Sequence, residues 1–486
     1  MEESEGGEHA LKRTLGSFQL IALGIGAIIG AGLFVRTAAA IAERAGASVT
    51  LAFLVAGIGC AFAGLCYAEF ASMIPLAGSA YTYSYATMGE LVAWIIGWDL
   101  TLEYAVGAAT VAIAWSEYFN KILEYFGLHV PFQWCHSPWE VDTLAGGGHG
   151  ILNLPAIAIL ALLSALLIRG TQESAFVNNI IVVTKVSIVI MFIVIGWGYM
   201  NPANHTPYIP APSTYTTPEG VVHPFGGIMG ILGAAGVVFF AFIGFDAVST
   251  AAQETINPKR DMPIGILGSL VVCTTLYVLF SHVLSGVATV QDFRTAGKEA
   301  SVAFAIAKYM PGFGWLAKLV TVAILGGFSS VILVMLMGQS RVFFSMSKDG
   351  LVPPLFSDVH PKFRTPWKAN ILFFFVTASF AGFIPGDIVG EMTSIGTLFA
   401  FMLVCAGVWI MRHRRPDLAR SFNVPALPVV SILGILVCGA MIYGLGWTNW
   451  LRLVVWLVIG LVFYFSYGRK HSKLMLSGAA SEGVAK

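Results

Sequence analysis

Charge is what this sequence has least of. Of its 486 residues only 11% are Asp, Glu, Lys or Arg, where an ordinary soluble domain carries roughly 25%. That shortage excludes a soluble globular protein. Lys and Arg number 27 against 26 acids, a formal charge of +1, so there is no basic field with which to hold nucleic acid. Cysteine is scarce too. Of the six, Cys60, Cys66, Cys273, Cys405 and Cys438 lie inside apolar runs, and only Cys135 lies in a polar loop. Neither a disulfide framework nor a paired-cysteine metal motif is available. A secretory signal is not read either, since the first residues are acidic (Glu2, Glu3, Glu5, Glu8) and the first apolar run exceeds the roughly 7 to 15 residues of a signal core.

What is there is apolar. Hydrophobic residues make up 57% of the chain, with 53 Gly and 34 Phe, and small residues are favoured where helices pack closely in a lipid bilayer. A helix needs about 20 residues to cross roughly 30 Å of hydrocarbon. Measured against that length, twelve segments are candidates, with approximate bounds 18–42, 49–73, 90–120, 151–169, 177–199, 225–252, 263–290, 314–346, 370–385, 388–411, 427–446 and 449–467. The longest remainders, 121–150, the Pro-rich 200–224 and 347–369, are too short to enclose a soluble core. The expected fold class is therefore all-α integral membrane, with 12 transmembrane helices. Positive residues stay preferentially on the cytoplasmic side. With both termini placed there, 18 of the 27 Lys and Arg fall inside and 8 outside, Lys185 remaining within a span. The reading is a multi-pass cell-membrane protein with both termini cytoplasmic.

Two spans are interrupted. Residues 24–32 read Gly-Ile-Gly-Ala-Ile-Ile-Gly-Ala-Gly, and the sixth span carries Phe239-Phe240-Ala241-Phe242-Ile243-Gly244-Phe245-Asp246. Glycine costs a helix about 1 kcal/mol relative to Ala, and paired interruptions in two halves point to an inverted-repeat transporter that holds substrate where both helices unwind. Close packing alone is the plainer account of either break taken singly. An enzyme would need a nucleophile with its base, or a metal cluster, near an interface, and neither is found. A channel would need a continuous polar pore. In the loop 121–150, His136, Glu140, Asp142 and His149 stand at irregular spacing beside Gly146 to Gly148 and read as solvated loop, with no metal assigned.

The motifs resemble a known family. Gly24 to Gly32, Tyr67 to Tyr81 (YAEFASMIPLAGSAY), Gly97 to Tyr104 (GWDLTLEY), Phe239 to Thr250, Glu254 to Pro263 and Gly338-Gln339-Ser340-Arg341 are similar to the amino acid, polyamine and organocation superfamily. Within it they are nearest the cationic amino acid transporters and their bacterial relatives. The resemblance implies a leucine-transporter-type 5+5 inverted repeat with two additional helices. Residues 1–17 would be an N-terminal tail, 18–199 the first repeat, 200–224 an extracellular loop, 225–411 the second repeat, 412–467 the two added helices and 468–486 the C-terminal tail. The sequence departs from a close bacterial pattern at Ala31, where a relative has Thr, and at Gln253, where relatives often have Glu.

The implied activity is proton-coupled uptake of amino acids by alternating access, without a cofactor. Alternatives are an exchanger needing a single-span partner joined through Cys135, sodium coupling through Ser329 and Ser330, and carriage of an amine or polyamine. An obligate partner is not expected, though a small single-span accessory protein is compatible. A zwitterion entering a low-dielectric cavity needs partners for both charges. Free N–H groups at Gly30, Ala31 and Gly32, at the positive end of a helix dipole, suit the carboxylate. Carbonyls of Phe240, Ala241 and Ile243, with Ile28 and Ile29 adding others, suit the ammonium. Asp246 is either an attractor of positive charge or an N-cap of the following segment. Glu103 is expected as a network carboxylate beside the site, with Asp99, four residues earlier on the same face, as a structural hydrogen-bonding partner. Lys185 lies mid-span, where desolvation disfavours its charged form and suits it to proton exchange. The resemblance places it where sodium-coupled cousins hold an ion, and the alternative is a fixed counter-charge to Glu103 or Asp246. Phe240 is read as a gate. Met335 stands at a position that limits side-chain room in relatives, or else fills core.

Overall fold

In a computed structural model the described residues are 13–30, 32–74, 78–141, 148–216, 222–296, 301–444 and 447–473. Ala31, Asp142 and the outer parts of the two expected tails, 1–12 and 474–486, lie outside them. The apolar runs become helices: α1 (Ser17–Ile28), α2 (Val49–Met73), α3 (Glu90–Glu124), α4 (Leu154–Arg169), α5 (Thr171–Trp197), α6 (Gly227–Phe239), α7 (Pro258–Val287), α8 (Gly314–Lys348), α9 (Trp367–Phe383), α10 (Gly386–Arg414), α11 (Leu427–Gly444) and α12 (Trp447–Phe463). Among the described residues eight helical runs are long and apolar enough to cross a membrane, and shorter apolar helices accompany them. The outer surface agrees with that reading. Leu162, Val183, Val194, Phe375 and Leu436 each expose more than 60% of their area, a cost in water but the favoured surface in lipid. The protein is thus a mostly helical, multi-pass membrane protein.

It is not wholly helical. Within the Pro-rich 200–224 stretch, β1 (Ser213–Thr216) pairs antiparallel with β2 (Val222–Phe225), Ser213 opposite Phe225 and Thr216 opposite Val222. Thr, Tyr and Val fit a pleated, half-exposed ribbon, a signal too short to stand out between longer apolar runs.

Missing side chains bring the central helices together. A Cβ at Gly64 on α2 would lie 2.5 Å from Leu270 on α7, and one at Gly57 would lie 2.8 Å from Thr274. Close backbone approach of this kind is how helices associate when lipid removes the hydrophobic drive between them. α1 packs on α7, and α8 on both α3 and α5, so α1, α3, α5, α7 and α8 surround the two interruptions.

Each interruption has a local cause. α1 stops at Ile28, and Ile29 turns extended (φ −77°, ψ 101°) before a wide helical run resumes at Gly32. α6 stops at Phe239; a tight turn at Phe240–Phe242 leads to Ile243 (ψ 136°). Gly244 then takes φ +106°, a conformation that strains any residue with a Cβ. From there a tight helix, Asp246–Glu254, continues to the start of α7.

Candidate functional site

The two breaks lie against each other. A Cβ at Gly32 would sit 2.1 Å from Cα of Ala241, and one at Gly244 would sit 3.0 Å from Cβ of Ala27. The paired glycines therefore let two unwound backbones meet in the middle of the bundle. Tyr277 of α7 ties them together, its hydroxyl lying 2.8 Å from the Ile28 carbonyl and 2.9 Å from the Ala241 carbonyl. Sequence reasoning missed Tyr277. Its only signal was a lone phenol in an apolar stretch, which reads equally as core.

Lys185, fully buried, reaches the same place from α5. Its Nζ donates to the carbonyls of Gly26 (2.9 Å) and Ile29 (2.7 Å) and to Oγ of Ser330 (2.7 Å) on α8. Three N–H donors thus meet three acceptors. None is a carboxylate, so the contacts described for Lys185 do not make it the counter-charge of Glu103 or Asp246. Ser330 also lies within hydrogen-bond reach of the Gly26 and Gly327 carbonyls, 2.8 Å from each. Ser329 instead accepts from Nε1 of Trp115 at 3.0 Å and donates to the Leu325 carbonyl.

Of the expected ammonium-facing carbonyls, those of Ile28 and Ala241 share the Tyr277 hydroxyl, that of Ile29 is held by Lys185, and that of Phe240 accepts the Ile243 N–H at 3.4 Å. Gly30 faces Val331, whose Cγ2 would lie 2.7 Å from a Cβ there. Ala31, the middle of the expected N–H cradle, is outside the described residues.

A cluster of acids adjoins the breaks. Asp246 is fully buried, accepts from the Tyr104 hydroxyl through Oδ2, and is hydrogen-bonded as well to the Glu103 carboxyl group and the Ala247 N–H. Glu103 is equally buried, and its carboxyl group hydrogen-bonds that of Asp246, with Asp99 nearby on the same helix. Tyr67 interacts with Asp246 and Glu103 as well, and its hydroxyl is unpartnered. Asp99, expected as a hydrogen-bonding partner, meets no donor among the described residues, and its Oδ1 lies 3.4 Å from where a Cβ on Gly396 of α10 would be. Met335 is buried, its Sδ 3.2 Å from where a Cβ on Gly107 would be, one turn of α3 beyond Glu103.

The two ends of this centre are built differently. At one end the half-buried Phe240 ring lies under the exposed Arg36 guanidinium, 5.7 Å from its centroid. At the other, Arg341 of α8 pairs with Glu254 at 2.8 Å with both side chains buried, and the Glu254 carbonyl accepts the N–H groups of Thr14 (2.8 Å) and Leu15 (3.0 Å). This ion pair was legible only as two motif residues, since the sequence does not place α8 beside the segment after α6.

The model for amino acid permeases matches residues 15–467. The chain belongs to the amino acid permease family. This places it in the superfamily that its motifs resemble, a family of carriers and not of enzymes. The permease is 45% identical over 96% of both chains to a branched-chain amino acid permease of Bacillus subtilis. It is 41% identical to a methylthioribose transporter of the same organism, over 96% of this chain and 95% of that one. A vacuolar cationic amino acid transporter of Arabidopsis thaliana is 34% identical over 85% of this chain and 65% of its own.

Neutralising Asp246 tests which of its two expected roles it serves. Asp246→Asn keeps the shape and the Tyr104 contact, so an attractor of positive charge shows as a transport loss at least severalfold larger for basic substrates than for alanine. An equal loss for all, together with a lower melting temperature, marks the helix cap.

Proposed function

We propose that the permease takes up amino acids with protons, by alternating access around the paired breaks. The observation that carries this reading is the Lys185 ammonium bound to Gly26, Ile29 and Ser330. It puts a titratable cation directly on the unwound backbone, so a change in its protonation changes what holds the break. In this reading the helices form twelve spans, α1 to α5 and α6 to α10 being inverted repeats with α11 and α12 added. Both termini, and the Arg341–Glu254 end, face the cytoplasm, and Phe240 closes the outer path. The residues 28–32, 240, 241, 243 and 246 meet the zwitterion, with Glu103 and Met335 beside its side chain.

Two alternatives lose support on particular contacts. Sodium would have to share Ser330 with an ammonium 2.7 Å away, a like-charge arrangement. A disulfide-linked partner would need Cys135, but that thiol is 5% exposed and packs at 3.5 to 3.7 Å from the carbonyls of residues 130–132. Burial pushes it up to about 11, away from the thiolate that forms disulfides.

The relatives' names divide between branched-chain amino acids, methylthioribose and cationic amino acids. The substrate class we infer is an amino acid with an apolar side chain, since the relative at 45% identity carries that name and buried Met335 offers an apolar wall. Competition for uptake tests it. Leucine, isoleucine or valine is expected to inhibit, and the methyl ester of the same amino acid to lose inhibition at least tenfold, because the ester has no carboxylate for the helix terminus. Undiminished inhibition by the ester, or by methylthioribose alone, rejects this site.

A further inference from the structure

We propose that Arg36 is the outer docking cation for the substrate's carboxylate, and that capture of the carboxylate draws it off the Phe240 ring. The inference rests on the proposed uptake of amino acids and adds to it a residue outside the breaks.

Arg36 ends the short run Gly32–Arg36 that resumes helix 1 after its interruption. It stands one turn from Gly32, the residue that touches Ala241 at the neighbouring break. Its side chain is exposed and its guanidinium lies over the half-buried ring of Phe240, which begins the turn of the second break. No carboxylate pairs with it among the described residues. The acid Asp292 is already held by Lys308 at 2.5 Å and by the Tyr309 hydroxyl at 2.7 Å. Arg294, another outer arginine, is engaged as well, donating to the Ala42 carbonyl and covering the Tyr215 and Phe225 rings. Arg36 is therefore a permanent cation with five donors whose one described contact is the face of an aromatic ring.

An exposed cation on a ring gains about 0.5 to 1 kcal/mol, less than a bidentate bond to a carboxylate offers. An arriving amino acid can thus displace the ring contact. The ring's own release then follows, because the guanidinium no longer covers it. A charge at the rim acts on encounter rates and their salt dependence more than on the bound complex. Ligands without a carboxylate gain nothing from it.

Uptake into liposomes by the unmodified protein and by Arg36→Gln and Arg36→Lys decides the matter, with leucine as substrate and isopentylamine, its decarboxylated counterpart, as competitor. The expected result is a KM for leucine raised about tenfold in Arg36→Gln at low ionic strength, with kcat changed less than twofold, and a flattened dependence of uptake on salt. Inhibition by the amine, itself a cation, is not weakened in Arg36→Gln. Arg36→Lys falls between the unmodified protein and Arg36→Gln, keeping the charge and losing the fork. An unchanged KM and salt profile in Arg36→Gln overturns the proposal, as does a loss confined to kcat, which marks a purely structural lid. If the unmodified protein takes up neither leucine nor any other amino acid, the functional reading itself fails and this one with it.

Discussion

Replacing Lys185 by alanine is expected to leave a permease that folds and exchanges substrate but no longer accumulates it when the outside is made acid. Accumulation needs one conformation to hold the proton more tightly than the other, and a ligand shifts a conformational equilibrium only through its differential affinity. In this structure the ammonium is tied to Gly26 and Ile29 on one side of the break and to Ser330 on α8. Protonation strengthens all three bonds at once and fastens α1 to α8. Loss of the proton leaves an amine with two N–H donors, and movement of α1 from α8 becomes cheaper. Without the side chain the link between protonation and conformation is gone. We expect accumulation driven by a pH gradient to fall about tenfold or more, with counterflow of labelled substrate retained. Lys185→Arg sharpens the test, for a guanidinium keeps its charge at all working pH values and so cannot cycle. Liposomes with internal and external pH set separately and sodium absent give the measurement. Full acid-driven accumulation by the alanine variant, or a strict sodium requirement in the unmodified permease, refutes the assignment.

The second large effect is expected at Arg341 and Glu254. Both side chains are at most 1% exposed, and removing one partner of a buried ion pair leaves an uncompensated charge that costs about 3 to 5 kcal/mol. Glu254→Gln keeps the volume and one acceptor, so it lowers the melting temperature less than Arg341→Met, which leaves a carboxylate without its guanidinium. Replacing both by apolar residues restores most of the stability, because an apolar pair carries no desolvation penalty. The pair also anchors the segment before α1, since Thr14 and Leu15 hydrogen-bond the Glu254 carbonyl, and we expect it to seal that end of the bundle. Transport in the stable double variant is therefore expected to differ from the unmodified rate, and a cysteine placed at Leu15 to react faster with a water-soluble thiol reagent. Equal melting temperatures for all variants, or unaltered labelling, contradict a sealing role.

The helices were determined by the sequence itself. Twenty or so apolar residues in bilayer have to satisfy every backbone group internally, which is why α2, α5, α7 and α8 stand where the apolar runs do. The breaks were legible for the same reason: Gly24 to Gly32 and Ile243-Gly244 withdraw helix propensity at two matched places. Lys185 and Asp246 announced themselves by cost, since an ionisable group at that depth must find partners. Which partners they find was decided only by tertiary structure. Lys185 takes carbonyls and a serine in place of an acid, Asp99 turns to a glycine, and Tyr277 reaches two carbonyls that belong to different spans. Arg341 meets Glu254 across 87 residues of chain. Each contact joins helices whose sequences hold no record of each other's rotation about their own axes. That rotation is set by which small residues allow close approach, here Gly32 on Ala241 and Gly64 on Leu270. Packing at van der Waals distance therefore decides how a set of recognisable residues becomes a site.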